Sequence, residues 1–403
     1  MKRRILMLLE NCPFPRDPRV RHEARALTDA GFSVTLICPH STGQAWSENY
    51  CGTRVIRYPV PPKFNNFIGY ICEYGYSLFI FFVLSVYVWA RYGIDAVHVH
   101  QPPDTGLLVA GFFKLFGKAY VMDHHDLAPE LYNAHFLYRG KPAIYRALMW
   151  WEKKALHLAD RVIATNESYK QIEIERAGIS EEKITIVRNG PDLNEKPLRA
   201  NLLDQKKPDD GITLGYVGVM GIQDGVDYLL KAFQLLVHEL HQENVRCVLV
   251  GAGDAFLQMK QLSSDLGIDK HVEFTGWIDD PNEFNRHLER IDIGLSPEPS
   301  NAYNDTSTFI KVMDYMTFGK PLVAFDLPES RHSAGEAALY ADGNDIFDFA
   351  QKIVMLMEDE ERRRQMGAVG LERIRDELAW NHQAGKLVEM YRSLLNAHAG
   401  DQG

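Results

Sequence analysis

The chain has 403 residues, 46% of them apolar, enough for two domains each with its own core. Five scattered cysteines without a C-x-x-C argue against a disulfide framework or a cysteine zinc site and fit a reducing compartment. The net charge of −10 conceals an asymmetry: residues 1–200 carry 25 Lys and Arg against 20 Asp and Glu, the remainder 19 against 34. That split suggests halves with different partners, and no basic stripe with interleaved aromatics favours nucleic acid.

The opening MKRRILMLLE places only five apolar residues before Glu10, which predicts a first strand rather than a signal peptide. Strand-like runs follow at Ile5–Leu9, Ser33–Cys38, Thr53–Tyr58, Ala96–His100, Ala119–Asp123, Arg161–Ala164 and Ile184–Val187, mostly separated by helical stretches. This alternation predicts a parallel, doubly wound sheet. The first strand leads into Asn11–Val20, where three prolines stiffen a loop, and then into a helix from about Pro18 to Ala30 closed by Gly31. Arg16, Asp17, Arg19 and Arg21 crowd that helix entrance, either as surface charges or as an anion-binding lip.

Residues Tyr76 to Ala90 carry no charge and no polar face. This run of 15 falls short of the ~20 residues that span hydrocarbon. It predicts either a helix buried between sheet and helices or a monotopic segment in the bilayer interface with Arg91 at its edge. At the end of strand Ala119–Asp123, His124, His125 and Asp126 fall where parallel sheets bind ligands, although a structural role bonded to backbone is equally open. No further metal ligands at defined spacing accompany them. Asn189-Gly190-Pro191-Asp192 marks a hinge, and the polar run Glu195–Gly211 a linker.

The second half begins with a buried strand, Ile212–Gly218, and a glycine-rich turn containing Gly218, Gly221 and Gly225. Such a turn lets backbone N–H groups approach a pyrophosphate. Strand-to-glycine turns recur at Gly251 and Gly253 and at Val272–Trp277, where Trp277 is either a base-packing residue or core. Ile291–Ser296 predicts a strand ending beside Glu298, and Pro321–Phe325 the next strand. Between them, Phe309, Val312, Met313 and Met316 fall at i, i+3, i+4 and i+7, predicting a helix of about 12 residues. Ser307 or Thr308 would cap it and Gly319 would end it. Lys311 and Asp314 share the opposite face. They make either a solvated pair or, at a helix N-terminus, an ammonium for phosphate and a carboxylate for ribose. Arg331 is a possible added cation. A last amphipathic helix spans Trp380–Asn396.

The segment SPEPSNAYNDTSTFIKVMDYMTFGKPLVAFDLPESR resembles the donor-binding segment of family-4, GT-B-type glycosyltransferases, with Lys311, Asp314, Met316, Gly319 and Pro321 on its pattern. FPRDPRVRHEARAL, His125-Asp126, the Asn-Gly-x-Asp turn and GVMGIQDGVDYLL are similar to other parts of a polysaccharide-assembly subgroup. The resemblance implies two Rossmann-like domains facing a cleft. Residues 1–195 would bind the acceptor, residues 205–378 the nucleotide-sugar donor, and a helix of about 380–400 would pack back on the first domain. It implies retaining sugar transfer to a hydroxyl, with no metal or other cofactor, in cell-surface polysaccharide or glycolipid synthesis. Lys311, His125 and Asp305 would be catalytic. Gly218, Gly221, Gly225, Gly251, Gly253, Trp277, Glu298, Thr306, Ser307, Thr308 and Asp314 would hold the donor. Arg16, Asp17, Arg19, His124 and Asp126 would line the acceptor side. The expected partners are a nucleotide sugar and a sugar or lipid-linked acceptor, at a cytoplasmic location with peripheral membrane contact left open. Three departures stand out: Asp314 where glutamate is usual, Thr306 where an acid is usual, and Val219 and Asp224 in place of the two cations of the glycine turn. The alternatives are another GT-B enzyme (an epimerase or phosphorylase) and a two-lobed sugar-binding protein without catalysis.

Overall fold

The computed structural model describes residues 2–60, 67–102, 104–136, 139–200, 211–242 and 244–400. The chain divides into two compact units: Met1–Asn133, Arg139–Arg188 and Asn381–Gly403 form one, and Ala134–Tyr138 with Asn189–Trp380 the other. Much of the expected linker, residues 201–210, lies outside the described residues.

The first unit is built on eight strands: β1 (Arg4–Leu8), β2 (Ser33–Pro39), β3 (Ser47–Tyr50), β4 (Thr53–Tyr58), β5 (Ala96–His100), β6 (Ala119–His124), β7 (Arg161–Ala164) and β8 (Ile184–Ile186). Their order is β3-β4-β2-β1-β5-β6-β7-β8. All neighbours are parallel except β3–β4. Continuous apolar runs such as Ile5–Leu8 and Val34–Cys38 are buried, as helices on both faces of a parallel sheet require. Strand β3 was not expected; its polar side chains alternate between exposed and half-buried, the signature of an edge. Strand order reverses between β1 and β5, so their carboxyl ends open the crevice of this unit.

Helix Pro18–Asp29 starts where expected, and its cap is Asp17, whose carboxylate accepts the N–H groups of Arg19 (2.9 Å) and Val20 (3.3 Å). The apolar helix is longer than its charge-free core suggested. It runs Phe67–Tyr92, 26 residues, which by length and composition alone would suffice to cross a bilayer. The buried-helix expectation holds for one face only. Ser77, Phe81, Ser85 and Val88, at helical spacing, face the core, and Phe81 meets Tyr58 edge-on at 5.5 Å. The opposite face exposes Phe79 (64%), Phe82, Val83 and Tyr87. The last helix, Trp380–Gly400, buries Leu387, Met390, Tyr391 and Leu394 as its spacing predicted.

The second unit carries β9 (Ile212–Val217), β10 (Val245–Val250), β11 (Val272–Gly276), β12 (Ile293–Ser296), β13 (Leu322–Phe325) and β14 (Ala338–Ala341). The order is β11-β10-β9-β12-β13-β14, and every pairing is parallel. Strand β14, missed in the sequence, is a four-residue edge. Order reverses between β9 and β12, and the glycine turn after β9 and the Glu298 loop after β12 both leave from that point. The helix that follows is Ile310–Thr317, eight residues rather than about 12. Neither Ser307 nor Thr308 caps it; the Ser307 hydroxyl donates to the Tyr303 carbonyl (2.7 Å) and tightens the preceding turn instead. Gly319 closes it at φ +63°, as expected of a left-handed stop.

Candidate active site

In the second unit, Tyr315 sets the position of helix Ile310–Thr317. Its ring lies against Gly294, where a Cβ would come within 2.4 Å of it. Its hydroxyl lies 3.0 Å from the Gly215 carbonyl and 3.1 Å from that of Leu295, and accepts the Val217 N–H (3.1 Å). One phenol therefore pins the last turn of the helix to the backbones of β9 and β12. Lys311 follows from that placement. It does not share a solvated face with Asp314: it is 9% exposed, and its ammonium lies 4.1 Å from the centre of the Tyr216 ring. The ammonium is ion-paired with Glu298, whose second oxygen accepts the Ser296 hydroxyl. Burial lowers the lysine pKa, but Glu298 and Asp224 outweigh it and hold the pKa above the ordinary value.

The glycines of the turns have a reason that the sequence did not disclose. A Cβ on Gly251 would meet the Gly218 carbonyl at 1.9 Å, and one on Gly225 the Pro297 carbonyl at 2.1 Å. One on Gly253 would meet the Met220 carbonyl at 2.6 Å. These loops close on one another, backbone to backbone, around the Lys311 stem, which a Cβ on Gly218 would meet at 3.1 Å. Asp224, in the place of a cation, accepts the Gly221 N–H (2.7 Å) and so fastens its own turn; burial raises its pKa to about 6. Val219, in the other cation's place, is half exposed.

Asp314 lies apart from Lys311 in its bonding: its carboxylate meets the Lys196 ammonium at 2.6 Å. Trp277 is 49% exposed and its indole donates to Asp279 (2.8 Å), so the core alternative for it is corrected. Asp305 accepts the Ser300 hydroxyl (3.2 Å) with one oxygen, and its other oxygen is buried without a hydrogen bond. Thr306 donates to the Tyr303 carbonyl (2.9 Å). Arg331 is exposed and holds Asp326 rather than turning inward.

In the first unit the helix-entrance charges part company. Arg16 is exposed, and Arg21 donates to the Pro15 carbonyl (3.2 Å). Arg19 is no surface lip: it is buried, and its guanidinium grips Asp123 through Nε (2.9 Å) and Nη2 (2.6 Å) while Nη1 donates to the Val187 carbonyl (2.9 Å). His124 is also interior, with Nδ1 2.9 Å from Glu173 and Nε2 3.7 Å from Glu152, which places it among buried ion pairs. Although burial opposes it, those two carboxylates push the His124 pKa well up. His125 turns its Nδ1 to Asp123 at 3.0 Å, and burial raises the neighbouring Asp126.

Sequence reasoning missed Glu23, His98, His100 and Asp123. The available signal was the strand period of two, which sets His98 beside His100 on β5 and Asp123 in step with His125. Ligand atoms of Glu23, His98, His100 and Asp123 lie within 4.8 Å of one another, a spacing that could suit a metal ion. The positive charge in that cluster is the Arg19 guanidinium, which holds Asp123 and lies 3.2 Å from Glu23, so it is an internal ion network.

Two family models match successive parts of the chain: "Glycosyltransferase Family 4" over residues 19–195 and "Glycosyl transferases group 1" over residues 211–359. The capsular polysaccharide biosynthesis glycosyltransferase CapM of Staphylococcus aureus is 24% identical over 64% of this chain and 67% of its own length. A D-inositol 3-phosphate glycosyltransferase of Thermomonospora curvata is 28% identical over 60% of this chain and 59% of its own, so the match spans about three-fifths of that relative. The solved structure of a sucrose-phosphate synthase from Thermosynechococcus elongatus superposes with a TM-score of 0.80 at 19% identity, covering 98% of this chain and 100% of that one. With the two parallel sheets and both family matches in place, the chain belongs to the family-4 glycosyltransferases and has the GT-B fold.

Proposed function

We propose that the protein is a retaining transferase that moves a sugar from a nucleoside diphosphate to an acceptor hydroxyl, in cell-surface polysaccharide or glycolipid assembly. The observation that carries the reading is Lys311: a buried ammonium placed by Tyr315 at the closed glycine turn, on a helix N-terminus. In the reaction the bond from the anomeric carbon to the diphosphate oxygen breaks, and its electron pair stays on the diphosphate. The acceptor oxygen bonds the anomeric carbon on the same face, and its proton passes to the departing diphosphate oxygen. Lys311 stabilises the charge that grows on the diphosphate. Its partner Glu298 keeps that ammonium charged and in place until the anionic substrate arrives. Asp314 takes the ribose hydroxyls by exchanging them for Lys196. No metal is required for these steps, because ammonium and backbone dipoles carry the charge.

Peripheral membrane contact belongs to the same proposal. Its support is the apolar outer face of helix Phe67–Tyr92, continued by ring contacts from Phe82 to Phe112 (4.9 Å) and from Phe112 to Phe116 (5.1 Å), with Leu115 exposed beyond them. Exposed apolar area of this extent marks an interaction surface. The free thiols at Cys12, Cys38, Cys51 and Cys247 support a cytoplasmic location.

The test is a thermal-shift screen of UDP-, GDP- and ADP-sugars followed by transfer to free or lipid-linked sugar acceptors, with the product's anomeric configuration read by NMR. An α product from an α donor is expected. A β product would refute retention, and no release of nucleoside diphosphate from any donor would refute transfer.

A further inference from the structure

The crossovers from β4 to β5, β5 to β6 and β6 to β7 all step the same way across the first sheet. Right-handed crossovers therefore lay helices Phe67–Tyr92, Leu107–Lys114 and Pro142–Leu158 on one face of it, packed side by side in that order. The outer surface of the first two is apolar, with Phe79, Val83, Tyr87 and Leu108 exposed and Leu115 just beyond them. The third differs. Helix Pro142–Leu158 turns Ala155 and Leu156 inward, together with Glu152, which is ion-paired with Arg176 (2.7 Å). Its opposite face carries Ala143, Arg146, Ala147, Trp150, Lys153 and Lys154, at i, i+3, i+4, i+7, i+10 and i+11, all exposed. Among the described residues, Arg146, Lys153 and Lys154 have no ion pair. The Lys154 ammonium lies instead over the Trp150 ring, 5.7 Å from its centre.

We infer that helix Pro142–Leu158 is the electrostatic half of a bilayer-docking surface, and that Arg146, Lys153 and Lys154 bind anionic phospholipid headgroups with Trp150 set at the interface. This rests on the peripheral membrane reading and goes beyond it by naming the lipid charge and the residues that select it. Charge complementarity supports the choice. Residues 75–92, 105–118 and 139–158 contain a single acidic side chain, Glu152, and it is buried. The outer surface of these segments is therefore apolar and cationic, with no exposed carboxylate to repel a headgroup phosphate. A soluble acidic partner would satisfy the cations and leave the adjoining apolar face in water. A bilayer takes both: headgroups meet the cations, an indole suits the interface, and the apolar side chains reach the acyl boundary. Apolar burial alone would bind neutral and anionic bilayers alike, so the basic stripe is what makes binding depend on lipid charge. Each Lys or Arg at an anionic surface strengthens binding about fivefold, and three together about 100-fold. The apolar and electrostatic contributions multiply, so loss of either one weakens binding.

The experiment is flotation of the full-length protein with vesicles of phosphatidylcholine alone and of equimolar phosphatidylcholine and phosphatidylglycerol. Each is run in low salt and in about 1 M NaCl, where the Debye length shrinks to roughly 3 Å. The wild type is expected to bind the anionic vesicles about 100-fold more tightly than the neutral ones, and to lose that margin in high salt. The triple variant Arg146→Gln, Lys153→Gln, Lys154→Gln should lose the margin in low salt, with Tm and binding to phosphatidylcholine unchanged. Equal wild-type binding to the two vesicles would overturn the inference whether or not any variant folds. A folded triple variant that keeps the margin would equally overturn it. Wild type that floats with neither vesicle would overturn the peripheral membrane reading along with it. Failure of the transferase reading is separate, seen as no turnover with any nucleotide sugar, and it leaves the flotation readable.

Discussion

Replacing Lys311 with alanine tests the site most directly, because this side chain has two separable duties. As the ammonium that stabilises the leaving diphosphate, its removal should lower kcat at least 100-fold, which is about 2.7 kcal/mol of transition-state stabilisation. As the partner of Glu298, whose side chain is 1% exposed, its removal leaves a buried carboxylate with no cation, a loss of about 3–5 kcal/mol. For a unit of this size that corresponds to a fall in Tm of roughly 6–20 °C. The double variant Lys311→Ala with Glu298→Gln removes the orphaned charge as well. It should regain most of the stability and none of the activity. Calorimetry reads the first effect and release of nucleoside diphosphate at saturating donor reads the second. Near-normal kcat in Lys311→Ala, or activity that returns together with stability in the double variant, would show that the lysine only holds the fold.

Asp314→Ala should raise KM for the nucleotide sugar about tenfold, the worth of roughly 1.4 kcal/mol of lost ribose bonding, whereas Lys196→Ala should leave KM unchanged or lower it by freeing the carboxylate. Equal damage from both changes would mean that the pair is structural. Transfer should persist in excess EDTA at its uninhibited rate, and a strict requirement for added Mn²⁺ would refute the metal-free mechanism. Serine at Phe79, Val83 and Leu115 should release the protein from anionic vesicles in a flotation assay without lowering Tm, since these side chains are exposed. Phe81 is excluded from that set because it packs on Tyr58, and vesicle binding that survives the triple change would place the contact elsewhere.

The parallel architecture was legible because burial on both faces forces largely apolar runs, and twelve of the fourteen strands were expected from the sequence before the chain is folded. The edges were not. Ser47–Tyr50 is polar, and Ala338–Ala341 sits in a run of alanines with no period of its own, so only their neighbours define them. Arg19 shows a different limit. Arginine beside a helix start is exposed by default, and the partner that draws it inside, Asp123, is 104 residues away in sequence. The uncharged stretch 76–90 of the long helix had no polar face from which to read an orientation; the two serines in it, Ser77 and Ser85, turn inward. Lys311 was found by motif, but its chemistry lies in what the motif leaves out, namely the Tyr216 ring below it and the Glu298 carboxylate beside it.

On the proposed donor reading, those neighbours also account for the two cations that the glycine turn lacks. A turn carrying arginine and lysine needs room for their stems; here the glycines close the loops backbone to backbone, and Asp224 bonds the Gly221 N–H. An acid at that position would repel a diphosphate if it stayed ionised and unshared. Its hydrogen bond and burial weaken that repulsion, the second by raising its pKa to about 6, while Lys311 opposes the rise and is itself kept charged partly by Asp224. The positive charge near the turn is therefore left to Lys311 on the following helix, where the N-terminal dipole adds to it. Restoring arginine at Val219 would put a second cation on an exposed position without disturbing the pair beneath, and the pair alone already supplies the ammonium, the helix dipole and the closed backbone that a diphosphate needs.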